Sequence, residues 1–336
     1  LKTENAKHVL GIQDDIRKTK KQTTIIPKYN GNLQNTTINS ILNQNFKNFE
    51  WIIGDDGSND NSYEMILSNK DNISFDIKYI KSSHRIGKAK MDNIILQNMR
   101  GKYLIYCGSD DYFLPNAFET LVKLIQENTD FDFGGVIAQC VDEANKSITF
   151  DPNFIPNEKI LVKFNELKKY LIGDDAMIEF CKNFKEQKYL EVDFVINESS
   201  LYKKIYSNKK FMLTSKIVKV MRRSKDSISF EKKLKYTRGS AYCISETINM
   251  GDYNKFNLIN KIKIVINYWR YCIHGDLNIL YAKNLWEVVR NKNFLLFYYL
   301  ISFFFVFRDN FQKKVEKTHI EFNKNINLFK ITKIDI

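Results

Sequence analysis

Through the first part of the chain, apolar positions fall in short bursts that alternate between two periods. QTTIIP (22–27) is a β-branched run that Pro27 stops, and FEWIIG (49–54) is an apolar run that Gly54 stops. FDIKYIK (75–81) alternates like a half-buried strand, and YLIYC (103–107) is strand-like again. Helical spacing lies between them. TTINSILNQNF (36–46) places Ile38, Ile41 and Leu42 on one face, with Thr36 as the expected N-cap. SYEMILSN (62–69) is helical in pattern, and KAKMDNIILQNM (88–99) groups Met91, Ile94, Ile95 and Met99 ahead of Gly101. PNAFETLVKLI (115–125) puts Pro115 in a first helical turn and lines up Phe118, Leu121, Val122 and Ile125. This alternation predicts an α/β fold with a mostly parallel sheet covered by helices.

Nine of the 13 glycines lie at or before Gly135, so the turn-rich, layered part of the chain comes first. The middle, about 130–230, is less regular, and the last hundred residues read as mostly helical. With 336 residues and 43% hydrophobic composition, the chain can bury a sizeable core. Its net charge of +13 favours anionic partners (nucleotides, nucleic acid or an anionic membrane surface) without choosing among them. The five cysteines are odd in number and lack CxxC spacing, so reduced thiols in a cytoplasmic compartment are expected. No HExxH or Cys/His cluster suggests zinc, and no secretory signal opens the sequence.

Two acidic turns follow strand-like runs: Asp55–Asp56 after WIIG, and Asp110–Asp111 after YLIYCGS. In open α/β sheets, ligands gather at the carboxyl ends of strands. Paired carboxylates repel, and a divalent cation carrying a diphosphate relieves that repulsion. Either pair alone reads more readily as a turn former or helix cap. Two pairs at matching positions favour a shared site.

The stretch TTIIPKYNGNLQNTTINSILNQNFKNFEWIIGDDGSNDNS resembles the start of a family 2 glycosyltransferase with the GT-A fold. HRIGKAKMDNII (84–95) and GKYLIYCGSDDYFLPNAFE (101–119) resemble the family's next two segments, in order and spacing. The resemblance covers about the first 125 residues. It implies an N-terminal extension at 1–21, a GT-A domain at 22–230 and a helical region at 231–336. Within the domain, 22–130 would be the nucleotide-binding half and 131–230 the acceptor half. The backbone around Pro27 to Tyr29 would line the base and ribose, and Asp56 would bond the base. Asp110 would lie near the ribose and diphosphate, and Asp111 would hold Mn2+ or Mg2+. Arg85 or Lys88 would reach the base or diphosphate. Lys28 and Gly54 depart from the family pattern, which has a small hydroxyl residue and a branched apolar residue there.

Inverting transfer needs a carboxylate that takes the acceptor's proton. The family often uses an acid in a turn at a helix start, followed by a strand and an R-x-x-x-(G/S)-x-S loop. YLEVDFVINESSLYKKI (189–205) and KIVKVMRRSKDSIS (216–229) resemble that order, with Arg222, Ser227 and Ser229 in the loop. Counting back gives Asp193 as the base. Asp174, Asp175 and Glu191 compete with it, and a plain helix cap is the other reading of Asp193.

The run from Phe294 to Phe307 carries no charge over 14 residues. As a helix it would reach about 21 Å, short of the roughly 30 Å of a bilayer core. A core helix, an interface between copies and an anionic headgroup surface are the three readings. The resemblance implies a nucleotide-sugar donor, UDP-linked, and a bacterial surface-glycan acceptor on a polyprenyl carrier. The expected location is the cytoplasm, peripheral on the membrane's inner face. No QxxRW motif is present, which favours addition of a single sugar over processive synthesis. A non-catalytic basic protein binding nucleic acid or membrane would explain the charge but not two ordered acidic turns, so no nucleic acid partner is expected. A nucleotidyltransferase, which also needs metal-binding carboxylates, is a third reading, disfavoured by the absence of a glycine-rich, Lys/Arg-containing phosphate loop after the first strand.

Overall fold

A computed structural model of the chain describes residues 22–28, 33–128, 130–153, 159–184, 186–191, 198–222, 237–249, 256–277, 292–312 and 329–334. At its centre are four strands: β1 (Gln22–Lys28), β2 (Phe49–Asp55), β3 (Asp76–Ser82) and β4 (Tyr103–Tyr106). They lie side by side in the order β3-β2-β1-β4, all parallel. Helices α1 (Asn35–Leu42), α2 (Ser62–Leu67) and α3 (Lys88–Asn98) alternate with them, as the sequence predicts. Antiparallel pairing enters further along the sheet. β5 (Tyr112–Phe113) is followed by α4 (Ala117–Gln126), β6 (Phe133–Asp142), β7 (Lys159–Lys163), β8 (Ala176–Phe180), α5 (Ser199–Tyr206) and β9 (Lys210–Met221). β8 runs antiparallel to both β4 and β6, and β9 pairs with β5, β6 and β7. The sheet is therefore parallel in the first half and mixed in the second.

Every residue of β2 is buried. Phe49 meets Phe75 and Phe118 at ring-centroid distances of 4.1 and 5.1 Å. Gly54 lies inside β2, not after it. A Cβ there would come within 2.4 Å of Ile95 and 2.9 Å of Met91, so α3 packs directly on this strand. That contact gives a physical reason for the departure at Gly54. Two helix starts also differ from expectation. Gln34 is the N-cap of α1, without a side-chain capping bond, and Pro115 stands before α4, whose N-cap is Asn116.

The C-terminal part holds α6 (Thr237–Asn249), α7 (Leu258–His274) and α8 (Lys292–Phe311). Ala241, Ile248, Val265, Tyr268, Trp269 and Cys272 form its small core. Buried Asp309 of α8 accepts from Arg270 Nη2 (2.8 Å) and lies 3.1 Å from His274 Nε2, which locks α8 to α7. Lys203 and Lys204 of α5 reach Thr247 and Glu246 of α6, at 2.9 and 2.5 Å. Among the described residues the region is helical, as expected, apart from β10 (Phe329–Ile334), which pairs antiparallel with the edge strand β3. All five cysteines are free thiols.

Candidate active site

From β1 the chain builds β2 and β3 on one side and only later β4 on the other. Strand order reverses at the carboxyl ends of β1 and β4, the place where open α/β sheets bind ligands. Both acidic turns lie at this edge.

The first turn faces inward. Asp55 Oδ1 accepts from Ser58 N (2.7 Å) and Oδ2 from the Tyr79 hydroxyl (2.6 Å), with Lys81 Nζ at 3.7 Å. Asp56 Oδ1 accepts from Ile86 N (2.7 Å), and its Oδ2 from Gly87 N (3.0 Å). Burial raises the Asp56 pKa, while these two N–H groups and Arg85 act against the rise. Asp56 thus fixes the loop that opens α3. Gly57 (φ +76°) lets that loop close, because a Cβ there would stand 2.6 Å from the His84 carbonyl carbon.

The second turn is clamped from outside. Thr37 Oγ1 donates toward Ser109 O (3.0 Å) and Asp111 O (2.7 Å). Gln34 N donates to Ser109 O (3.0 Å), and Phe113 N donates to Ser40 Oγ (3.2 Å). Gln44 donates to Leu114 O (2.7 Å) and accepts from Phe118 N (3.0 Å). Helix α1 and the residues that flank it, Gln34 and Gln44, therefore hold the run between 109 and 118 at Ser109, Asp111, Phe113, Leu114 and Phe118. The clamp aims two carboxylates back over Gly108. A Cβ on Gly108 would stand 3.0 Å from Asp111 Oδ2 and 3.1 Å from Asp110 Oδ1.

Asp110 is exposed and Asp111 is buried. Burial pushes the Asp111 carboxyl up to about 6; Lys219 opposes the rise and Asp110 adds to it. Buried Lys219 of β9 donates to Asp175 O (2.7 Å) and lies 3.9 Å from Asp111 Oδ2. Burial opposes its charge, but Cys140, Asp111, Cys107 and Asp175 together outweigh that and keep it cationic. Asp175 is also pushed up to about 6 by burial, against Lys219, with Asp174 and Glu198 adding to the rise. Arg222 N donates to Asp111 Oδ1 (3.3 Å), and the guanidinium lies 5.5 Å from the Tyr112 ring.

With this geometry in place, comparison with known proteins decides the family. The profile of glycosyl transferase family 2 matches residues 23–183, which hold both acidic turns and all four parallel strands. The chain carries a family 2 glycosyltransferase domain. A GalNAc(5)-diNAcBac-PP-undecaprenol beta-1,3-glucosyltransferase of Campylobacter jejuni is 27% identical over 195 residues, covering 57% of this chain and 62% of the relative. An uncharacterized glycosyltransferase of Rickettsia conorii is 31% identical over 170 residues, covering 48% of this chain and 27% of the relative. The chain thus spans less than two thirds of the length of either relative. The crystal structure of S. aureus TarS 1–349 in complex with UDP-GlcNAc has TM-score 0.55 at 14% identity, covering 92% of this chain and 99% of that one. That likeness shows the fold.

In the family 2 domain, Pro27 lies in β1, opposite Gly54 of β2. Tyr29, Asp193, Ser227 and Ser229 fall outside the described residues. Arg85 lies in the loop that Asp56 holds. The Lys88 ammonium is engaged by Asp92 and by Glu198 Oε1 (2.6 Å), near the Tyr106 and Tyr189 rings. Burial pushes Asp92 up to about 6, with Lys88 opposing and Glu198 adding. Glu191 accepts from Asn93 Nδ2 (3.0 Å), and Asn93 also bonds both backbone polar groups of Tyr189.

Glu198 is the acid that the sequence reading passed over. It is the N-cap of α5 and makes no side-chain cap bond. The available signal was an acid just ahead of Leu201, Tyr202 and Ile205, an apolar face at helical spacing. Glu198 and Lys219 both lie beyond the residues that match the family profile.

A divalent ion suits the space over Gly108. The donors there are hard carboxylate oxygens, and any side chain at 108 would fill it. Among the described residues no cluster of three His, Cys, Asp or Glu groups could hold a metal. Asp110 and Asp111 therefore fit an ion that completes its shell with substrate oxygens rather than an all-protein cage.

Proposed function

We propose that the chain is an inverting glycosyltransferase that moves one sugar from a UDP-linked donor to a lipid-linked bacterial glycan. The observation that carries this reading is the pair of carboxylates converging over Gly108 at the switch point of a family 2 domain. Asp111, with Asp110 beside it, would hold Mn2+ or Mg2+. That ion would supply positive charge to the departing diphosphate. Pro27 and Tyr29 would border the base and ribose. Asp56 would shape the base pocket through the 84–87 loop, which carries half-buried Arg85. Lys88 supports the acceptor side through Glu198. The glycan acceptor is supported by the Campylobacter relative, whose name specifies an undecaprenol-linked substrate.

The base is one of two acids. The sequence resemblance favours Asp193. Glu198 is favoured by position: it opens a helix, and its charge reaches Asp175 at the crevice wall. Attack by the acceptor hydroxyl on the anomeric carbon releases a proton to this carboxylate as the bond to the diphosphate breaks.

The test is a thermal-shift panel of nucleotide sugars with and without Mn2+, followed by transfer assays on Asp193→Asn and Glu198→Gln. A donor should stabilise the protein only with metal. Removing the base should abolish transfer while donor binding persists. If no nucleotide sugar binds with metal present, the reading fails.

A further inference from the structure

Helix α8 is apolar on both sides, and among the described residues its outward side is exposed while its inward side is packed. Ser302, Val306 and Asp309 face inward and are buried. Phe297, Leu300, Phe304, Phe307 and Phe311 recur every three or four residues on the opposite side, with Phe303 beside them. Their exposure runs from 46% at Phe303 to 82% at Phe311. A solvent-facing helix normally turns a polar face outward, so this face is built for something apolar.

We propose that the outward face of α8 docks on an anionic phospholipid surface. The charges around it select this occupant. The one acid of the segment, Asp309, is fully buried and bound by Arg270 and His274. Arg308 Nη2 lies 3.7 Å from Asp309 Oδ1, yet its side chain remains partly exposed at 43%, with the guanidinium 4.8 Å from the Phe305 ring. In the sequence, Lys292 precedes the run, and Lys313 and Lys314 follow it, within a chain of net charge +13. Aromatics rimmed by cations match the acyl–headgroup boundary of an anionic leaflet. A second copy would bring the same cations face to face across a two-fold interface. No helix among the described residues is long and apolar enough to cross a membrane, so α8 would lie on the surface. The purpose of docking rests on the proposed function: it would bring the crevice to a lipid-linked acceptor.

Flotation of the full chain with phosphatidylglycerol/phosphatidylcholine vesicles tests this. The wild type should float with these vesicles, less with phosphatidylcholine alone, and less as salt rises. Phe304→Glu/Phe307→Glu should lower partitioning by about tenfold or more per side chain. Phe131→Glu, at a highly exposed aromatic in the β6 approach, should float like the wild type. Both variants should keep the wild-type melting temperature and the wild-type shift with UDP-GlcNAc and Mn2+. The proposal is overturned if the wild type binds no vesicles or if Phe304→Glu/Phe307→Glu floats equally well. It is also overturned if light scattering shows a wild-type dimer that this double variant splits. Loss of vesicle binding with an intact donor shift isolates the docking face. A missing donor shift in the wild type would count against the proposed function instead.

Discussion

At the end of β2, Asp55 and Asp56 turn inward and are spent on the protein itself: Ser58, Tyr79, Ile86 and Gly87 saturate them. At the end of β4, the carbonyls of Ser109 and Asp111 are gripped, and the Asp110 and Asp111 carboxylates converge over Gly108, with Arg222 N (3.3 Å) and Lys219 (3.9 Å) beside Asp111. Both turns contain two adjacent aspartates after an apolar strand. What separates them is the supply of donors. The first turn meets backbone N–H groups from the 84–87 loop, whereas Thr37 of α1 and the flanking Gln34 and Gln44 supply hydroxyl and amide groups that grip carbonyls of the second. A carboxylate becomes architecture where donors converge on it. It stays available for a cation where most of the donors go to the main chain instead, as around Asp111.

Replacing one acid in each turn should break this comparison most sharply. Asp111→Asn should lower metal-dependent transfer by on the order of a hundred- to a thousandfold, with the melting temperature close to wild type. Asp56→Ala should do the reverse, costing about 2–4 kcal/mol of stability because two buried N–H groups lose their acceptor. Urea unfolding and initial rates on both variants provide the check. Equal stability losses in the two would erase the proposed division of labour.

A smaller effect is expected from the clamp. Thr37→Val keeps shape but removes the hydroxyl that spans Ser109 and Asp111, and Gln44→Ala releases Leu114 and Phe118. Each should cost about 1–2 kcal/mol. Each should also weaken Mn2+-dependent donor binding, because the carboxylates lose their fixed aim. Calorimetric titration of UDP-GlcNAc with Mn2+ separates this from plain destabilisation. An unchanged affinity in a folded Thr37→Val protein would show that α1 merely supports the turn.

These contrasts also mark how far sequence reading reaches. The central strands and helices were legible because their periodicity is local: Ile38, Ile41 and Leu42, or Phe118, Leu121 and Val122, reveal a buried face without knowledge of the partner. The acidic turns were legible as a site, since strand ends in such sheets gather ligands. Their different use was not legible. Asp56 depends on amides thirty residues away, and Lys219 reaches Asp111 only because β9 pairs with β5 and β6. Lys88 is expected from the sequence, as the alternative to Arg85, to reach the base or diphosphate; its partners were not legible, because Asp92 lies one helical turn along and Glu198 arrives with α5. β10 went unread for a similar reason: FKITKI only partly alternates, and its partner β3 is some 250 residues earlier.

The mildest test concerns a carboxylate that has neither backbone amides nor a nearby cation. Glu179 of β8 is fully enclosed. Burial pushes it up to about 8, against the lowering effect of hydroxyl donation from Tyr206 and Tyr202. Donors decide the charge state here as they decide use in the turns: two hydroxyl groups do not hold this acid ionised at neutral pH. The folded pKa lies above the ordinary 4.5, so the folded chain keeps a proton that the unfolded chain releases between pH 4.5 and about 8. Stability contributed by this group is present at low pH and falls as pH rises through that window. Glu179→Gln is neutral throughout. It should flatten the decline by one proton's worth and raise the melting temperature of the protein relative to wild type toward pH 8. Melting curves from pH 5 to pH 8 on both proteins measure the difference in slope. Parallel curves would mean that Glu179 is ionised in the fold, and that hydroxyl donors alone can hold a buried carboxylate charged.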